Sequence, residues 1–182
     1  MKSEARRRAE KELDDLVKKI RQEPGFERLL LPPSEEQFMK AADPDPVVVV
    51  DVSDLRCDAF VVTRDGIRLL ELPKITLDGV QGKARQIQRD SVSLGSTLPW
   101  LWDVLASPVL EALDFTSPPS SADSREPHMW RIPVGPLNFL PVHAAGYHGK
   151  QTGETALDRV ISSYGSSIKS LLAARPTMGS CS

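Results

Sequence analysis

The chain has 182 residues, with 23 Lys+Arg against 25 Asp+Glu and a net charge of -2. That balance lacks the basic excess with which nucleic-acid binders neutralise phosphates. Hydrophobic residues at 40% and charged residues at 26% exclude wholesale disorder, collagen and coiled-coil arrays, while 15 prolines, about 8% against an average near 5%, point to a loop-rich domain.

Residues 3–22 read as an amphipathic helix. Ala9, Leu13, Leu16, Val17 and Ile20 fall on one stripe and charges fill the other face. The run Arg6-Arg7-Arg8 is diluted by Glu4, Glu10 and Glu12, which marks a solvated face rather than a DNA arm. In an isolated chain the stripe is expected to pack on the chain's own sheet. Pro24-Gly25 stops this helix. A second one starts at Ser34, an N-cap with Glu35 and Glu36 in the first turn, and runs to about Ala42.

After Asp43-Pro44-Asp45-Pro46 comes the β-branched run Val47 to Val52, a buried strand. Cys57 to Thr63 is a second strand, Asp65-Gly66 a hairpin turn and Ile67 to Leu72 a third strand. Residues 76–90 are weakly helical. Residues 98–113 form an apolar helix that Pro108 kinks or divides. Of Trp100 and Trp102, two apart on that helix, one is expected in the core and the other half-exposed.

Residues 116–127 form a Ser/Pro-rich loop. His128 to Val134 is a strand, Gly135-Pro136 a turn, and Leu137 to Val142 an apolar stretch whose Pro141 marks a sheet edge or strand end. His143-Ala144-Ala145-Gly146 is compact. Residues 159–164 read as a strand and 166–175 as a helix. The order is ααβββααββα, an α/β fold.

Two cysteines, Cys57 and Cys181, build no disulfide framework. No signal peptide opens the chain, and the apolar run Val47–Val50 ends at Asp51, too short for a membrane span. The expectation is a cytoplasmic protein with neither membrane nor nucleic-acid partner.

Several stretches occur in a telling order. Ile20-Arg21 with Pro24-Gly25-Phe26 precedes the valine strand with Asp51-Val52-Ser53. Gly135-Pro136-Leu137 and Phe139-Leu140-Pro141 lead into His143-Ala144-Ala145-Gly146, and Val160-Ile161-Ser162-Ser163-Tyr164 follows. Together they resemble the CHAT domain, the caspase-like domain associated with tetratricopeptide repeats, in its fungal form. Asp51 departs from that pattern, where the family often has Asn, and so does Gly165, where a Thr often follows the Tyr.

The resemblance implies a partial caspase-like α/β sandwich and relatives that are cysteine peptidases. It implies a helical extension over 1–45, the N-terminal part of a CHAT domain over 46–175 with an exposed loop near 114–127, and a tail over 176–182. In the family the catalytic His and Cys follow the I-S-S-Y strand and its helix. Here the sequence stops seven residues after Arg175, so the expectation is a truncated member, inactive alone.

A cysteine peptidase needs a thiolate, an imidazole to take its proton and donors for the oxyanion. His128, His143, His148, Cys57 and Cys181 are the candidates. His148-Gly149 precedes the I-S-S-Y strand, the wrong order, and Cys57 at a strand start reads as a buried structural thiol. No catalytic residue and no cofactor is therefore assigned. His143 and His148 lack a third ligand at metal spacing. His143, Ala144, Ala145, Gly146, Ser162, Ser163 and Tyr164 stand as family-motif residues of unknown role. The alternative is a non-enzymatic interaction or regulatory module. Its partner would be a protein, a tetratricopeptide-repeat or CHAT-containing chain, engaged through an exposed sheet edge.

Overall fold

The computed structural model describes residues 2–120, 125–149 and 153–174. The chain divides into two compact units, Met1–Ser34 and Glu35–Ser182.

The first unit is helix α1 (Lys2–Ile20) and the turns that follow it. Ion pairs Arg6–Glu10 and Arg8–Glu12 brace its exposed surface at i,i+4 spacing. The Arg21 guanidinium donates to the Leu29 carbonyl at 2.8 Å and folds the segment after the helix back on itself. Leu13 and Leu16 of its apolar stripe are each more than half exposed.

The second unit is an α/β fold on a mixed five-stranded sheet. Its strands are β1 (Val47–Val52), β2 (Cys57–Thr63), β3 (Gly66–Glu71), β4 (His128–Pro133) and β5 (Ile161–Tyr164), in the order β3-β2-β1-β4-β5. β1, β2 and β3 form an antiparallel meander, and β4 and β5 add in parallel beyond β1. Alternation sends Val48, Val50, Ala59, Val61 and Met129 to one face, where they pack with α3 (Leu77–Arg89), α4 (Leu94–Leu101) and α5 (Ser107–Ala112). Val47, Val62 and Ile132 occupy the other face under α2 (Glu35–Ala41) and a helix near the C-terminus, Ile168–Ala174. The sequence grouped α2 with the N-terminal extension, whereas it shares this second core.

Four details depart from the sequence reading. The long apolar helix begins at Leu94, and at Pro108, where the sequence implies a kink or a division, it is distorted rather than divided. It runs to Ala112 through one π turn, Trp102–Ala106. The Ser107 N–H bonds the Trp102 carbonyl five residues back. That widened turn gives the proline ring room where a regular helix would press it against a carbonyl.

Residues 137–142 form no strand. Gly135, at φ +61°, and Pro136 start a 3-10 turn over Gly135–Phe139, and a second covers Val142–Ala144. Proline has no N–H for a ladder, so this proline-flanked stretch closes into local turns. A short helix, α6 (Ala156–Arg159), takes the start of the expected last strand. The Thr155 hydroxyl caps it by accepting from the Asp158 N–H at 3.1 Å. The helix after β5, here α7, spans Ile168–Ala174, shorter than the expected 166–175.

Of the two helical tryptophans, Trp102 is buried and Trp100 is half-buried against the core. Arg159 lies over the Trp102 ring, 4.7 Å from its centre. No described helix is long and apolar enough to cross a membrane.

Candidate functional site

The two strongest motif segments meet. The His143 backbone N–H donates to the Tyr164 hydroxyl oxygen at 3.0 Å, and His143 Nδ1 lies 3.1 Å from the same oxygen. The phenol oxygen thus holds both the backbone and the ring of His143. The two rings cross edge to face, 5.8 Å between centres at 88°. Tyr164 ends β5, so this contact ties the 3-10 turn to the edge of the sheet. Burial raises the Tyr164 phenol pKa, against the lowering effects of the His143 N–H and of Arg131.

Ala144, Ala145 and Gly146 make the close packing that small residues permit. Ala145 is fully buried, its carbonyl accepts from the Ala156 N–H at 2.8 Å, and the Gly146 N–H donates to Leu98 at 2.9 Å. Gly146 has φ +149°, and a Cβ there would stand 2.5 Å from the Thr155 Cα. Only glycine fits.

Arg131 lies on the same sheet face as Ser162 and Tyr164. It pairs in register with Tyr164, and its Nε donates to Ser162 Oγ at 3.0 Å. The residue is 4% exposed, and Nη2 has no hydrogen-bond partner among the described residues. Burial pushes its pKa down to about 10, and Tyr164 works the other way. A cavity of about 10 Å³ opens beside it, walled by Val50, Pro133, Leu137, Val142 and Tyr164. That is room for about one water-sized group.

Ser163 points to the opposite face, as alternation requires. Its hydroxyl lies 2.9 Å from His128 Nε2, and His128 Nδ1 stands 3.0 Å from an Asp45 carboxylate oxygen. This last approach is off the ring N–H direction, because Nδ1 makes no aligned hydrogen bond. Arg125 closes the row by donating to the other Asp45 oxygen at 2.7 Å. The row fastens the Asp45 loop and β4 to β5.

Cys57 opens β2 and is buried, its Sγ 3.7 Å from the Ser53 carbonyl. It lines a cavity of about 570 Å³ with Arg56, Asp58, Glu71 and Asp78, and no histidine is among the described residues that line it. Arg56 reaches both oxygens of the mostly buried Asp58 carboxylate at 2.5 and 2.8 Å, and this pairing raises the arginine's pKa. His148 Nε2 donates to the Ala144 carbonyl at 2.6 Å. Cys181 lies outside the described residues. Among the described residues, no group of three or more His, Cys, Asp and Glu could hold a metal ion.

The chain matches no protein-family model, no curated protein and no solved structure. Its site is therefore read from geometry. The structure brings together His143, Ser162 and Tyr164 with one residue that the sequence reading missed, Arg131. The signal was present in Met129-Trp130-Arg131-Ile132. A lone arginine between large apolar residues in a buried strand is a buried charge, and such charges are normally paired.

Proposed function

We propose that this chain is a caspase-like module of the CHAT type that works by pairing with a protein partner rather than by peptide cleavage. The order of the G-P-L, H-A-A-G and I-S-S-Y stretches and the α/β architecture support the family reading. The observation that carries the interaction reading is the open side of β5. Among the described residues β5 pairs with β4 alone.

The N–H groups of Ile161 and Gly165 bond β4-side carbonyls at Pro127 and Arg131. By alternation, the backbone N–H and C=O groups of Ser162 and Tyr164 face away from the sheet. Ile161-Ser162-Ser163-Tyr164 carries neither charge nor proline, devices that blunt natural edges. Ile161 is 49% and Tyr164 is 44% exposed. Such an edge takes an extended segment as a further strand, and a tetratricopeptide-repeat or CHAT-containing chain would supply it.

The test is amide hydrogen exchange on the full chain, alone and with a nine-residue peptide of alternating Thr and Val capped by Lys. Slowed exchange at Ser162 and Tyr164 is the expected result. Unchanged exchange at both would refute strand pairing. Turnover of fluorogenic peptides that Cys57→Ala or Cys181→Ala abolishes would refute the non-peptidase reading.

A further inference from the structure

A four-residue edge offers few ladder bonds, so strand pairing there needs a side-chain anchor for affinity and register. Arg131 provides one. Its side chain starts on β4, one strand in from the edge, and its Nε reaches Ser162 Oγ on β5. The guanidinium thus lies over the edge strand itself. An added strand would run about 4.8 Å beyond β5, within reach of an acidic side chain. Residues placed opposite Ser162 or Tyr164 share their sheet face, which is the face of Arg131.

The charge state calls for such a ligand. A buried guanidinium with an unpartnered Nη2 bears its desolvation cost without the attraction that would offset it. The small cavity beside it is enclosed by core residues, Val48 and Val50 of β1 and Leu105 and Val109 among them, and Tyr164 is its one exposed wall. A single carboxylate oxygen admitted past Tyr164 would meet the cation in a poorly hydrated site, where charge-assisted hydrogen bonds are strongest.

We propose that the partner strand carries an Asp or Glu opposite Ser162 or Tyr164, and that this carboxylate binds Arg131. This rests on the strand-pairing reading above and adds the chemistry of the partner. Two versions of the Thr/Val peptide, with Glu or Gln at the centre, test it by isothermal titration against the full chain. The Glu peptide is expected to bind about tenfold tighter or more, the usual worth of a charged hydrogen bond. The difference should vanish in Arg131→Met.

Equal binding of the two peptides, with Ser162 and Tyr164 amides protected, would overturn the Arg131 assignment and leave strand pairing standing. Absence of both binding and protection would overturn both. The Glu/Gln comparison uses the unaltered chain, so the proposal stays testable even if the variant fails to fold.

Discussion

Replacing Arg131 by methionine is expected to stabilise the free protein. The side chain is almost fully buried and, among the described residues, makes one hydrogen bond, to Ser162. The fall of its pKa to about 10, at about 1.4 kcal/mol per tenfold change in proton affinity, is worth about 3 kcal/mol against the charged form. Methionine has a similar reach and no charge to desolvate. It forfeits the bond to Ser162, about 1 kcal/mol, but the half-buried Ser162 hydroxyl can turn to water. The net gain is about 1–2 kcal/mol, or about 2–8 °C in Tm for a chain of this size. Thermal unfolding followed by circular dichroism at pH 7 measures it.

The pH dependence has a definite sign. Below about pH 10 Arg131 is charged in both folded and unfolded states, so the wild type bears the full penalty. Above that value the folded state releases its proton before the unfolded state does, and stability rises relative to Arg131→Met. A variant that melts several degrees below the wild type at neutral pH would show that Arg131 is compensated in the free protein, and the reasoning would fail.

Tyr164→Phe removes the hydroxyl that accepts from His143, at an expected cost of about 1–2 kcal/mol in urea unfolding, with a changed His143 imidazole signal in NMR. The two tyrosines, Tyr147 and Tyr164, both have raised pKa values, the first through its bond to Asp103 and the second through burial. Phenolate absorbance should therefore begin above the ordinary tyrosine range. The contribution of Tyr164 is present below the ordinary phenol pKa and is lost as pH climbs through its raised value. Gly146→Ala places a Cβ against the Thr155 backbone at positive φ, and a loss above about 2 kcal/mol is expected; an unchanged unfolding midpoint would contradict the packing described.

Much of the fold is legible because local patterns and tertiary demands agree. β1 is β-branched and buried on both faces. The Asp65-Gly66 turn closes a hairpin whose register, Thr63↔Gly66 and Val62↔Ile67, follows directly. Legibility fails where a tertiary contact outweighs local preference. Residues 137–142 are apolar enough for a strand, yet Pro136 and Pro141 deny them ladder donors. α6 takes Arg159 out of the expected strand because Thr155, a residue without apolar signal, caps a helix. The stripe on α1 has helical period, but periodicity states which side is apolar and not what covers it.

The site was half legible for a related reason. The motif residues His143, Ser162, Ser163 and Tyr164 were singled out as one group, and alternation along β5 divides them. Ser163 turns to His128 and Asp45 on one face, whereas Ser162 and Tyr164 turn to Arg131 and His143 on the other. Both sets hold β5 in place through side chains on the two faces of the sheet. A strand braced on both faces, with uncharged residues and outward-facing backbone at its free edge, is held in place where the proposed partner would dock. Such preorganisation would lower the ordering cost of the proposed strand addition, in which four residues and one buried charge would have to suffice for recognition.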